Sequence, residues 1–293
     1  MKALITGHKG YIGGNLYNKI KENYDVAGID LKGCEISGKL YPGHDLCDGI
    51  PIEFYNFKPD VIFHLAAIPR VAFSVEKPVE VMKNNVVSTS KVLRYAKYVN
   101  SPVVYSSSSS VVGNGSGPAS PYALSKYVGE MESLMYNDLY GIKTIALRYF
   151  NVYSYDQIAD SEYATVVCNW KKYILENKTP FITGDGNQRR DMTHVEDIVS
   201  ANIFCAENIS NDQMWGHWYD IGSGENISLN ELKNLVIKIF PNQQFDYIEP
   251  RDGDVMYTEA KVDKFKKHGW KSSVKLNDGL RDVFQKVKHE HFS

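Results

Sequence analysis

The chain has 293 residues, which suits one large domain or two unequal ones and is too short for three ordinary domains. It is 43% hydrophobic and 23% charged, with 33 basic against 35 acidic residues and a net charge of -2; this excludes a disordered tail and offers no general electrostatic grip on nucleic acid or on a membrane surface. Cysteines 34, 47, 168 and 205 form no C-x-x-C pair, and Met1-Lys2 runs directly into a strand-like segment rather than a signal peptide, so the expectation is a reducing, cytoplasmic setting and a small-molecule partner.

In chain order, Ala3-Leu4-Ile5 predicts a first strand, the turn Gly7 to Gly13 follows, and a helix runs through Leu16 and Ile20. A second strand spans Asp25 to Asp30. The Gly-rich stretch from there to Asp45 is too short for a helix-plus-strand unit, so the pattern is trimmed there. Val61 to Leu65 reads as a strand, and Pro78 opens a helix through Val81, Val86, Val92 and Leu93. Next come a strand at Val103 to Tyr105, a five-serine run, a helix from Pro121 to Tyr140 and a strand at Thr144 to Leu147. This alternation predicts an α/β fold with a doubly wound, Rossmann-type parallel sheet and a smaller, partly interleaved α/β substrate-binding domain. The boundary falls at 153, with 1–153 as the cofactor domain receiving segments near 190–225, and 154–293 as the substrate cap. The lysines at 264, 266 and 267 read as a solvated helix face.

Thr6-Gly7-His8-Lys9-Gly10-Tyr11-Ile12-Gly13 sits between a strand and a helix. Its glycines allow a tight turn and close approach of a pyrophosphate, and the helix start offers unpaired N–H groups to the anion. The spacing is G-x-x-G-x-x-G, and no G-K-[ST] follows, so kinase and ATPase readings lose support. Asp30, at the end of the second strand, suits the hydroxyls of an adenosine ribose and so favours NAD over NADP, although Lys32 blunts the preference and a plain turn aspartate is the alternative. Asp45-Leu46 is read as the adenine edge, again against an ordinary turn.

Tyr-x-x-x-Lys places a cation one helical turn from a phenol, where it can lower the phenol pKa from about 10 toward neutrality. Roughly 1.8 such pairs are expected by chance in this composition. Three occur, Tyr17/Lys21, Tyr122/Lys126 and Tyr257/Lys261, but only Tyr122 opens a helix just after a strand that ends in serines. Hydroxyls at the carboxyl end of a strand stand where ligands bind in open α/β sheets. The eight histidines show no metal-ligand spacing, so His64 and His194 read as packed or hydrogen-bonded residues. Ser108 lacks the G-x-S-x-G elbow of a covalent nucleophile.

Taken together, the Gly7/Gly10/Gly13 loop, Asp30, His64-Leu65-Ala66-Ala67, Asn85-Val86, the serine strand, Tyr122-Ala123-Leu124-Ser125-Lys126, Arg148 to Tyr153, Arg190 to Asp197 and Arg251-Asp252-Gly253-Asp254 resemble the extended short-chain dehydrogenase/reductase family, in its NAD-dependent nucleotide-sugar epimerase/dehydratase branch. The resemblance implies that Tyr122 is the base, that Lys126 holds the nicotinamide ribose and tunes the tyrosine, and that Ser108 orients the sugar hydroxyl. It implies NAD contacts at Gly7, Gly10, Tyr11, Ile12, Gly13, Asp30, Asp45, Leu46, Leu65, Ala66, Ala67, Asn85, Tyr122, Lys126 and Tyr149. It also implies that Asn151, Arg190 and Arg251 bind the diphosphate of a nucleotide-diphosphate sugar; ion pairing of Arg190 with Asp191, or of Arg251 with Asp254, is the structural alternative.

Within that branch, dehydratases carry an Asp-Glu pair after the active hydroxyl residue, where this chain has Ser109 and Ser110. Simple hydride transfer remains, as in a 4-epimerase, with a net oxidoreductase acting on a keto sugar or other carbonyl as the alternative. Thr183 replaces an aromatic residue that often stacks on uracil in the resembling enzymes, which leaves the base open or assigns the stacking to Phe181. The resemblance further implies a homodimer paired through the helices near Pro78 to Tyr98 and Pro121 to Tyr140.

Overall fold

In a computed structural model, residues 1–113, 115–158, 165–250 and 256–291 are described. Arg251 lies outside them. The chain divides into two compact units: Met1–Val112, Ser116–Arg148 and Ile198–Tyr219 form the first, and Gly113–Gly115, Tyr149–Asp197 and Asp220–Ser293 the second.

The first unit is built on strands β1 (Lys2–Thr6), β2 (Asp25–Ile29), β3 (Cys34–Ile36), β4 (Lys39–Tyr41), β5 (Val61–His64), β6 (Val103–Ser108) and β7 (Thr144–Tyr149). With His217–Ile221 they form one eight-stranded sheet in the order His217–Ile221, β7, β6, β5, β1, β2, β3, β4. The pairs β1–β2, β1–β5 and β5–β6 are parallel, the α/β arrangement expected. These strands are continuous apolar runs because both faces are covered; Leu4, Ile29, Ile62 and Val103 are buried with Val92, Leu93 and Ala96 in one core.

Helices α1 (Tyr11–Ile20), α2 (Val71–Glu76), α3 (Pro78–Val99) and α4 (Pro121–Tyr140) belong to this unit. Local chemistry sets their ends. Pro78 occupies the first turn of α3, and Asn100 closes it with a left-handed φ of 54°. Ser120 accepts the Ala123 N–H at 3.1 Å to cap α4, and Gly141 ends it at φ 66°.

The trimmed stretch after Asp30 is a β3–β4 hairpin, antiparallel to its neighbours, that extends the sheet. Its Ser37-Gly38 loop has φ of 48° and 82°, the double positive φ of a two-residue hairpin turn. Within the serine run, Ser106, Ser107 and Ser108 complete β6.

The second unit packs α5 (Val166–Leu175), the helix Leu229–Ile239 and the helix Leu276–His291 around Tyr153, Trp170, Ile182, Leu232, Leu280 and Phe284. Lys264, Lys266 and Lys267 are exposed, as read, on and beside a single turn, Asp263–Lys266. No described helix is long and apolar enough to cross a membrane.

Candidate active site

The glycine loop joins β1 to α1. A Cβ on Gly13 would lie 2.1 Å from the Gly7 carbonyl oxygen, and one on Gly7, whose φ is 74°, would lie 2.9 Å from the Ala66 backbone. These clashes require glycine, and they bring the loop, the start of α1 and the segment after β5 into close approach. The first turn of α1 carries no acidic residue and its N-cap, Gly10, makes no side-chain cap, so the helix start with Tyr11 and Ile12 keeps its positive end for an anion. This cradle fits a dinucleotide pyrophosphate.

Asp30 follows β2, and its two carboxylate oxygens accept the Lys9 N–H at 3.1 Å and the Lys32 N–H at 3.0 Å. The side chain is thereby fixed beside the glycine loop, while each oxygen retains a lone pair for a ribose hydroxyl. Asp45 accepts the Cys47 N–H at 2.8 Å to open a turn that buries Leu46.

Leu65, Ala66 and Ala67 form the segment after β5. Asn85, 2% exposed on α3, holds that segment from behind: its Oδ1 accepts the Ile68 N–H at 2.8 Å, and its Nδ2 donates to the Ile68 carbonyl at 3.2 Å and to Ser125 Oγ at 2.9 Å. Tyr149 is buried at the end of β7.

His64 is buried, with Nδ1 2.7 Å from Thr6 Oγ1 and Nε2 3.0 Å from Thr89 Oγ1. Thr89 donates its own proton to the Asn85 carbonyl at 2.7 Å, which leaves it to accept from Nε2–H and fixes the tautomer. Burial and the neighbouring Lys126 push the imidazole pKa down to about 3, so the ring is neutral. His194, in the second unit, meets Tyr153 edge-on at 5.4 Å. Both histidines are packed as read, and no group of metal ligands is found among the described residues.

Ser108, Tyr122 and Lys126 converge at the carboxyl end of β6. Ser108 ends the strand, and its Oγ accepts the Ser110 N–H at 3.2 Å and the Ser110 hydroxyl at 2.9 Å. Ser108 stands near enough to Tyr122 to favour its phenolate. Lys126 Nζ donates to the Ser106 carbonyl at 2.8 Å and lies 5.2 Å from the centre of the Tyr105 ring.

The lowered phenol pKa expected from Lys126 is not found in this structure. Burial is the larger effect and raises Tyr122, outweighing Ser108, which lowers it. The same burial pushes Lys126 down to about 7, which weakens its charge near neutrality.

The other two Tyr/Lys pairs are engaged elsewhere. Tyr17 donates to Glu35 at 2.7 Å, and Tyr257 accepts from Asn226 at 2.9 Å.

In the second unit, a cavity of about 270 Å³ is lined by Asn151, Trp170, Tyr173, Phe181, Thr183, Gln188 and Arg190 among others. Asn151 adopts φ 33° and donates to the Asp191 carbonyl at 2.6 Å. The Asp191 carboxylate accepts from Ser223, Gly224 and Ala260 at 2.9–3.0 Å. Phe181 and Thr183 share this cavity, and Gln188 donates to the Thr183 carbonyl at 2.7 Å. The polar wall at Gln188 and the aromatic wall at Trp170 and Tyr173 have no sequence motif; only the amphipathic pattern of α5 hints at them.

The family model for the NAD-dependent epimerase/dehydratase family matches residues 3–222. The chain belongs to that family. It is similar to a putative UDP-glucose 4-epimerase of Methanocaldococcus jannaschii, 34% identical over 98% of this chain and 99% of the relative. Among solved structures it is similar to the UDP-glucose 4-epimerase of Thermotoga maritima with UDP-glucose, at TM-score 0.89 and 28% identity over 100% of both chains. It is also similar to the UDP-glucuronic acid 4-epimerase of Bacillus cereus in complex with UDP-glucuronic acid and NAD, at TM-score 0.86 and 28% identity over 99% of this chain and 100% of that one. Family membership gives NAD as the cofactor, and the glycine cradle, Asp30 and the Ser108/Tyr122/Lys126 cluster are where this chain's own residues suit it.

Proposed function

We propose that the protein is an NAD-dependent epimerase that inverts C4 of a nucleotide-diphosphate sugar through a transient keto sugar. The observation that carries this reading is the convergence of Ser108, Tyr122 and Lys126 at the carboxyl end of β6, in the unit that also holds the glycine cradle, with serines where a dehydratase would place carboxylates. Ser109 and Ser110 form a turn in which Ser110 is spent on supporting Ser108, so no acid-base group stands there to expel water.

NAD supplies, when bound, a reversible hydride acceptor and a cationic ring. Tyr122 Oη takes the proton of the sugar hydroxyl, and Ser108 Oγ orients that hydroxyl and steadies the phenolate. Lys126, fixed to the Ser106 carbonyl, holds the nicotinamide ribose and tunes the phenol through the part of its charge that burial leaves. After the keto sugar turns over, Tyr122 returns the same proton to the oxygen, and no further acid or base is needed.

In this reading residues 1–153, with segments near 190–225, form the NAD domain, and 154–293 the substrate cap. Gly7, Gly10, Tyr11, Ile12 and Gly13 hold the pyrophosphate, Asp30 the adenosine ribose, and Asp45 and Leu46 the adenine. Leu65, Ala66 and Ala67, supported by Asn85, line the nicotinamide with Tyr149. Asn151, Arg190 and Arg251 hold the diphosphate, and Phe181 supplies the aromatic face for the base that Thr183 does not.

We further read the protein as a cytoplasmic homodimer of carbohydrate metabolism. Leu124, Tyr127, Met131, Met135 and Leu139 form an exposed apolar stripe at helical spacing along α4, which supports pairing through α3 and α4. All four cysteines are free, as suits a reducing compartment.

The test is incubation of the NAD-loaded protein with UDP-, GDP-, dTDP- and CDP-sugars, read by proton NMR. A C4 epimer with no net NADH supports the reading. Stoichiometric NADH turnover identifies a net oxidoreductase instead, and a silent panel from protein without bound NAD overturns both.

A further inference from the structure

Glu130 is a fully buried carboxylate that the proton chemistry at Tyr122 does not use. It lies on α4 one turn past Lys126, in the series 122, 126, 130 that marks one helix face. Its Oε2 accepts from Ser107 Oγ at 2.6 Å and from Arg148 Nε at 3.0 Å, and its Oε1 accepts from Arg148 Nη2 at 2.5 Å. Arg148 comes from β7, and Trp218 covers its guanidinium, whose carbon lies 3.6 Å from the ring centre.

Burying two such charges costs several kcal/mol, so apolar residues of the same volume would serve stability about as well. What an apolar substitute could not reproduce is the geometry. The Arg148 fork fixes the orientation of the Glu130 carboxylate. That carboxylate then seizes Ser107, the residue between the Ser106 carbonyl that receives Lys126 and Ser108, which ends β6 near Tyr122. A one-residue slip of β6 would break all three links together.

We propose that Glu130, oriented by Arg148 and tied to Ser107, is a positioning group that sets the register of β6 against α4 and so holds the Ser108–Tyr122 and Ser106–Lys126 contacts in place. The kinetic part of its test rests on the epimerase reading above; the exchange part does not.

Ser107→Ala keeps the ion pair and removes only the tie to β6. Its kcat, KM, pH profile and Tm are compared with wild type, together with hydrogen exchange of peptides covering 103–108 and 121–130. The expected result is a kcat lowered about tenfold or more, since a displacement well under 1 Å suffices, with KM within about twofold and an altered kcat–pH profile. Exchange quickens in those two peptides, the melting temperature holds within a few degrees, and Ser107→Thr, which restores the hydroxyl, recovers the rate. A wild-type kcat and unchanged exchange in Ser107→Ala overturn the proposal, as does a loss that tracks global destabilisation and is not recovered by Thr. If the wild-type protein has no epimerase activity, that reading fails by itself, and the local exchange still decides whether Glu130 positions β6.

Discussion

Lys126 donates to the Ser106 carbonyl at 2.8 Å, so the cation one turn beyond Tyr122 is held by the very strand that ends in Ser108. The bond replaces only part of the hydration the ammonium loses, and burial pushes Lys126 from its ordinary 10.5 down to about 7. The folded protein therefore binds fewer protons than the unfolded chain between those two values. The cost of burying the ammonium is fully present below about pH 7 and is relieved as pH rises through the window. For the NAD-free protein, urea unfolding at pH 7 and pH 9 should show wild type gaining about 2 kcal/mol relative to Lys126→Met. An unchanged difference would mean that the ammonium is not desolvated.

Tyr122→Phe removes the phenol oxygen and leaves the glycine cradle intact. Turnover should fall by roughly 10²–10⁴-fold, the range lost with a general acid-base group, while bound NAD, released by denaturation and assayed, stays stoichiometric. Residual activity near wild type would move the proton transfer to another group.

Asp30 is fixed by two backbone N–H groups, and in the proposed reading its remaining lone pairs meet a ribose diol. Asp30→Ala should weaken NAD binding about tenfold and raise the NADP-to-NAD affinity ratio, because the repulsion of a 2′-phosphate goes with it. Titration calorimetry with both dinucleotides measures this, and an unchanged ratio would point to Lys9 and Lys32 as the discriminating groups.

Arg190 lines the second unit's cavity with Asn151. If Arg190 holds the diphosphate as proposed, Arg190→Ala should raise KM for the nucleotide sugar by about tenfold or more with kcat within a fewfold, since a diphosphate is bound alike in ground and transition states. A selective loss of kcat would place Arg190 nearer the chemistry than the diphosphate role allows.

The parallel sheet was legible because apolar runs alternate with helices whose ends carry local signals: Pro78 and Asn100 on α3, Ser120, Pro121 and Gly141 on α4. The glycine loop and the Tyr122/Lys126 spacing were legible because both chemistries depend on neighbours close in sequence. What was hidden depends on distance. The β3–β4 hairpin has a Ser37-Gly38 turn signal, but strands of three residues are too short to show a period. Glu130, Ser107 and Arg148 come from three elements, and no local pattern announces a carboxylate that bonds 18 and 23 residues away. The rise of the Tyr122 pKa was likewise out of reach, because burial is a property of the packed structure and the Tyr-x-x-x-Lys spacing carries only the opposing electrostatic contribution.

In the proposed reaction, hydride leaves C4 and returns to it within one protein molecule. The most direct measurement uses a nucleotide sugar deuterated at C4, incubated with the NAD-loaded protein in ordinary water and read by proton NMR and mass spectrometry. The expected product is a C4 epimer that retains its deuterium at C4, because the label travels with the hydride and never meets solvent. An epimer that has exchanged its deuterium for solvent hydrogen would contradict the proposed reaction, since the proton would then have been removed from carbon rather than from the hydroxyl that Tyr122 serves.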